Sequence, residues 1–172
     1  MASQNKQRKI VNPFVELPGY NCYGCSPDNS FGLHMTFAEE GEVVTSTWNP
    51  EKKFQGYFGI LHGGIQAALM DEIASWVVYV KLKTAGFTSR AEVRYHKTVY
   101  VEKGPLKLYA RPLKMRRNLA DIEVKLFDSK GIKCASGIFT YFTFSEEQAK
   151  DTMYYPAHND FFEEGEAISG NE

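Results

Sequence analysis

The chain has 172 residues, enough for one domain with a sizeable core. Hydrophobic side chains make up 43% of it, a globular rather than a disordered composition, and the net charge of -1 gives no electrostatic reason to bind nucleic acid or an anionic membrane surface. No apolar run reaches transmembrane length, three cysteines do not make a disulfide framework, and the polar, basic opening is not a secretory signal, so a soluble protein of the reducing cytoplasm is expected.

Residues 1–18 read as a flexible N-terminal arm carrying Lys6, Arg8 and Lys9. From Gly19 to His34 the chain is irregular and rich in Gly, Asn and Asp. Leu33 to Phe37 begins a strand, Gly41 centres a turn, and Val43 to Trp48 returns, which predicts a hairpin over 33–48. Pro50, Gly56 and Gly59 make the next stretch irregular.

Gly64 to about Lys83 is the expected long helix. Ile65, Leu69, Ile73, Trp76 and Val80 form one stripe at three- and four-residue spacing. The opposite side, with Ala67, Ala74, Ser75 and Val78, is also small or apolar, so protein must cover this helix on nearly all sides. Lys81, Lys83 and Gly86 are its stop signals. After Thr88 the period changes to two, predicting four strands: 88–101, 106–115, 118–127 and 132–144, joined as an antiparallel meander. Pro112 implies an edge position or a bulge. Ser145 is a candidate N-cap for a short helix that ends by Pro156, and Phe161 and Phe162 are the anchors of an otherwise acidic tail. The expected fold class is α+β: one central helix with a sheet of about six strands curled round it, and sheet edges that call for a second subunit.

Two places on the helix carry chemistry. Its first amides lack intrahelical partners and lie at the positive end of the dipole, and Gly63 and Gly64 leave them open to a carbonyl oxygen. His62 stands at the cap, where it orients the turn, meets a ligand or acts as a base. Asp71, about two and a half turns on, is costly inside an enclosed helix unless paired or used. Asp71 shares its side with small residues and is the favoured functional acid; Glu72 points about 100° away and is the alternative. A purely structural reading also stands: a tight turn at His62-Gly63-Gly64, and both acids in ion pairs with Arg94 or Arg116. Cys22 and Cys25 have zinc-site spacing, but the sequence offers no evident further ligands, and no metal is expected. Lys114 to Arg117 is a basic cluster able to receive phosphates, and equally a solvated turn.

The stretch Phe58-Gly59-Ile60-Leu61-His62-Gly63-Gly64 through Asp71 resembles the signature of the hotdog-fold thioesterases, the PaaI-like and 4-hydroxybenzoyl-CoA thioesterase-like superfamily. Cys22-Tyr23-Gly24-Cys25, followed by Phe31-Gly32-Leu33, resembles the opening of one branch, with Ser26 and Ser30 where that opening has Gly and Pro. The resemblance covers roughly residues 20–144, and the domain is placed at 19–144 with a C-terminal extension at 145–172. It implies hydrolysis of an acyl-CoA thioester, with coenzyme A as part of the substrate and no separate cofactor. It implies the carbonyl at Gly63 or Gly64, Asp71 as base or nucleophile with Glu72 as alternative, and Thr88 or Ser89 beside the carboxylate. It also implies an interfacial site in a homodimer or homotetramer, with Arg116, Arg117 and Asn118 toward the coenzyme A. The alternative on the same scaffold is a non-catalytic acyl-CoA binding module, and a dehydratase stands behind both.

Overall fold

The alternating segments assemble into one antiparallel sheet of seven strands. The computed structural model describes residues 7–163. The strands are β1 (Arg8–Ile10), β2 (Phe37–Glu40), β3 (Val43–Trp48), β4 (Gly86–Tyr95), β5 (Leu106–Arg116), β6 (Leu119–Phe127) and β7 (Lys133–Thr143), in the spatial order β1-β2-β3-β5-β6-β7-β4. Helix α1 (Gly63–Lys81) lies on the concave face against β3 through β7. Along β6 the alternation is regular: Ala120, Ile122, Val124 and Leu126 are buried toward the helix and the residues between them are half-exposed. This is the hotdog architecture, one helix wrapped by a curved antiparallel sheet.

The helix is enclosed as its composition demands. Leu69, Ile73, Trp76 and Val80 are buried, and so are Met70, Ala74, Val77 and Val78; Ile65, at the open end, is half-buried. The terminal segments cover the side away from the sheet. Phe161 packs edge-on to Trp76 at 6.0 Å and stacks on Tyr79 at 6.1 Å, and Phe14 meets both Tyr79 and Phe161, while Phe37 of β2 stacks on Trp76 at 4.6 Å from the sheet. The Tyr155 hydroxyl donates to the Tyr79 carbonyl at 2.7 Å. A short helix α2 (Glu146–Met153), with a capping box at Ser145, carries the chain to this docking site.

Several expectations change. Residues 8–17 do not form a loose arm: β1 pairs with β2, the Asn12 side chain accepts from Phe14 N at 3.1 Å, and Phe14 is buried. The apolar contacts of Phe14 and the free edge of β2 fix a segment whose charges suggested mobility. The hairpin is shorter than 33–48, because His34 has φ 50 and interrupts the first strand before Phe37. The sheet has seven strands rather than about six, because β1 joins it. The meander holds for β5-β6-β7 only. β3 already occupies the outer side of β5, so β4 pairs instead with β7, and the connection after Tyr95 crosses back with Val99 and Val101 buried in it. Pro112 sits at a bulge opposite β6 and beyond the end of the β3 pairing, which ends at Ala110. Residues 1–6 and the acidic end 164–172 lie outside the described residues.

If the C-terminal segment is part of this core, Phe161→Ala removes a fully buried aromatic ring and costs about 3–5 kcal/mol. Urea unfolding followed by tryptophan fluorescence measures it, and a loss below about 1 kcal/mol would detach the segment from the core.

Candidate functional site

His62 is the N-cap of α1. Its Nδ1 accepts from the Gly64 backbone N–H at 2.9 Å, which leaves the proton of the neutral ring on Nε2. A Cβ at Gly64 would lie 3.0 Å from that Nδ1, a tight approach that glycine avoids. The cap therefore consumes the Gly64 amide. Among the described residues nothing accepts from the Gly63 N–H, and the Gly63 carbonyl accepts from the Tyr95 hydroxyl at 2.8 Å. Of the two amides that the sequence offered, Gly63 is the open one. A pocket of ≈ 410 Å³ lies beside it, lined by Gly56, Tyr57, Ile60, Leu61, His62 and Gly63.

Asp71 is half-buried on the side of α1 that faces β4 and β7. Its Oδ1 accepts from the Thr88 hydroxyl at 2.7 Å and from the Tyr141 hydroxyl at 2.8 Å, and Tyr141 also reaches the Asp71 carbonyl at 2.8 Å. Thr88 on β4 and Tyr141 on β7 are register partners, so the sheet places both donors on one carboxylate. Burial and then the charge of Asp71 push the Tyr141 phenol well above its ordinary value, which keeps it a donor. Oδ2 has no hydrogen-bond partner among the described residues. Neither Arg94 nor Arg116 pairs with Asp71, which removes the ion-pair reading for this acid. Ser89, the other candidate beside the carboxylate, turns instead to the Thr140 carbonyl at 3.0 Å. Tyr141 is not among the site residues that the sequence suggests. Its single hydroxyl in an otherwise apolar burst was the available signal.

Glu72 enters a different environment. Its carboxylate is enclosed beneath the loop that carries Cys22, Gly24 and Cys25. Trp76 Nε1 donates to Oε1 at 3.0 Å, and Cys22 Sγ lies 3.7 Å from each carboxylate oxygen. Burial, followed by the Cys22 charge, pushes this carboxyl up to about 7. The Thr88 and Tyr141 hydroxyls donate to Asp71 and not to it.

The basic turn lies at the Asp71 end of the sheet. Thr88, Tyr141, Ala120 and Met115 are successive register partners across β4, β7, β6 and β5, which puts Met115 and the turn after it about 14 Å from Thr88 at ~4.8 Å per strand. Arg116 shares its charge with Asp121 at 2.9 Å. Arg117 is exposed with φ 55 and has no ion-pair partner among the described residues. The Asn118 carbonyl accepts from Thr143 N at 2.8 Å, so its backbone is tied into the sheet.

Residues 58–135 match the sequence model of the thioesterase superfamily. Among solved structures, a thioesterase superfamily protein superposes with TM-score 0.65 at 21% identity, over 70% of this chain and 59% of its own length. A thioesterase from Haemophilus influenzae gives TM-score 0.64 at 19% identity, covering 71% of this chain and 86% of that one. A hypothetical thioesterase from Streptococcus pneumoniae, solved with coenzyme A, gives 0.57 at 23% identity, covering 60% and 82%. At such identities these structures support the fold. The matched stretch runs from just before the cap of α1 into β7, so it holds the His62-Gly63-Gly64 cap and Asp71, and over those residues the chain is similar to the thioesterase superfamily, on the hotdog architecture that the wrapped helix shows.

Proposed function

We propose that this protein hydrolyses an acyl-CoA thioester to the free acid and coenzyme A, and that each active site is built from two copies of the chain. The observation that carries the proposal is Asp71: one oxygen is clamped by Thr88 and Tyr141, and the other is free. A carboxylate held in this way is oriented without being neutralised by a cation.

The Gly63 amide and Asp71 are eight residues apart on one straight helix, about 12 Å at ~1.5 Å per residue. A thioester carbonyl cannot reach both within one chain. The partner's helix N-terminus must supply the amide, and β4 offers the route to dimerisation. It is a ten-residue edge strand with Phe87 and Tyr95 exposed, and one of its sides pairs only with β7. In this arrangement Asp71 Oδ2 takes a proton from water as the water oxygen attacks the carbonyl carbon. The carbonyl oxygen becomes an oxyanion facing the Gly63 N–H of the second copy. Collapse breaks the carbon–sulfur bond, and the proton passes from Asp71 to the departing sulfur. Direct attack by Oδ2 uses the same geometry: the carbon–sulfur bond breaks, coenzyme A leaves as the thiolate, and water then opens the mixed anhydride to the free acid and the Asp71 carboxylate, its released proton going to the thiolate. Arg117, with Arg116 and Asn118 beside it, faces the phosphates of coenzyme A; an open guanidinium is suited to them.

Asp71→Asn is expected to lower kcat at least about 100-fold with the fold and assembly unchanged. Steady-state assays with short, long and aromatic acyl-CoAs check it. Retained rate in Asp71→Asn with loss in Glu72→Gln would move the acid to Glu72. Wild type that binds but turns over none of these substrates would make the chain a binding module.

Tyr141→Phe keeps the ring and removes one hydrogen bond to the carboxylate. A bond to a charged group contributes about 1.5–3 kcal/mol, so kcat should fall roughly tenfold or more, with KM little changed. An unchanged kcat would show that the clamp is structural only.

Gly63→Pro deletes the open amide at a helix position that tolerates proline. Each of Asp71→Asn and Gly63→Pro should be inactive alone. Unfolded and refolded together, they should recover about a quarter of wild-type activity, since half the dimers of a random two-fold mixture carry one intact site of two. No recovery from two folded variants would refute the shared site.

A further inference from the structure

Cys22 and Cys25 have metal-site spacing, and the fold supplies the ligand that the sequence left unseen. Glu72, fifty residues away in the chain, brings its carboxylate under the same loop. One sulfur from each cysteine and a Glu72 oxygen all lie within 4.8 Å of one another. Cys22 Sγ is 3.7 Å from both carboxylate oxygens. The ligand–ligand edge of a tetrahedral zinc site with Zn–S of ~2.3 Å and Zn–O of ~2.0 Å is about 3.5 Å. Little movement separates the observed arrangement from coordination.

The surroundings are built for such a site. Ser26 N donates to the Cys22 carbonyl at 3.1 Å and closes the turn. A Cβ at Gly24 would stand 2.2 Å from Glu72 Cδ, so only glycine lets the loop sit on the carboxylate. Trp76 Nε1 holds Glu72 Oε1 at 3.0 Å and leaves Oε2 to turn toward the sulfurs. The Tyr20 hydroxyl is 2.9 Å from Cys25 Sγ and is itself held by Asn12 Nδ2 at 3.1 Å. These are outer contacts of the kind that orient first ligands. No lysine or arginine pairs with Glu72 among the described residues, so nothing cationic from the protein offsets an ionised cluster.

We propose that Cys22, Cys25 and Glu72 bind one divalent, thiolate-seeking ion, Zn²⁺ above all, with the fourth position left to water. Binding releases the thiol protons to solvent. The ion pins the opening loop to α1 one residue beyond Asp71, on the side away from Thr88 and Tyr141. The proposal does not depend on the thioesterase reading, and its test uses no activity.

The full chain, stripped with chelator and reduced with a phosphine, is titrated with Co²⁺ and then with Zn²⁺. One Co²⁺ per chain should bind with thiolate-to-cobalt charge-transfer bands in the near ultraviolet and tetrahedral bands in the visible, and Zn²⁺ should displace it. Cys22→Ser and Cys25→Ser should each weaken binding at least about 100-fold, and Glu72→Gln at least about tenfold. Cys134→Ser, whose sulfur lies elsewhere in β7, should bind as wild type. Wild type with three titratable thiols and no charge-transfer band would overturn the proposal. So would a band that survives Cys22→Ser, or a Cys22–Cys25 disulfide that forms in air while the reduced protein takes up no metal. Should the variants fail to fold, X-ray absorption at the zinc edge of zinc-loaded wild type decides: two sulfurs at about 2.3 Å with lighter atoms support the site, and a shell without sulfur rejects it.

Discussion

A helix with apolar side chains on every side has no face to give to water, and the architecture follows from enclosing it. The nineteen residues of α1 bury Leu69, Ile73, Trp76 and Val80 along one stripe and Met70, Ala74, Val77 and Val78 beside it. One layer of sheet covers only part of that circumference. The remainder falls to Phe14 near the N-terminus and to Tyr155 and Phe161 near the C-terminus, which meet around Tyr79 and Trp76. Chain ends that look dispensable by composition are held by this demand, since each buried aromatic ring is worth several kcal/mol of transfer and packing free energy.

Enclosure also gives meaning to the two acids. Residues adjacent on a helix project about 100° apart, so one solvent-poor helix presents Asp71 and Glu72 to two separate neighbourhoods. Asp71 looks toward β4 and β7, where Thr88 and Tyr141 donate to it. Glu72 looks toward the opening loop, where Trp76 and Cys22 meet it and burial raises its proton affinity. One carboxylate is hydrogen-bonded and keeps an open oxygen. The other is sealed against sulfur. Adjacent carboxylates thus do unlike things because their surroundings differ, not because their chemistry does.

Much of this was legible in the residues. The stripe from Leu69 to Val80, the alternation from Ala120 to Leu126, the cap at Ser145 and the bulge at Pro112 are local patterns with local causes, and they appear as read. Asp71 stood out because an acid among Ala67, Ala74 and Ser75 has no local reason to be there. Tyr141 did not stand out, since a tyrosine among Phe139, Phe142 and Phe144 looks the same whether its hydroxyl faces solvent or a carboxylate. Competition between the two glycine amides was equally hidden. It depends on the His62 ring folding back, a rotamer choice rather than a pattern.

By itself, then, the sequence determined most of the elements, though not β1 or the bounds of β2 and β4, together with the enclosed helix and the acid worth attention, because periodicity and burial cost are properties of neighbours along the chain. Tertiary structure alone decided the pairing of β4 with β7, the clamp on Asp71 and the meeting of Cys22, Cys25 and Glu72. The two clamp contacts span seventeen and seventy residues and the Cys22–Glu72 contact fifty, and over such distances position is set by how sheet, helix and loop pack. The stretch from Gly63 to Asp71 shows both levels at once: its spacing, about 12 Å of helical rise, is fixed by the helix, and the partners that its two ends meet, Tyr95 at one and Thr88 and Tyr141 at the other, are fixed by the sheet.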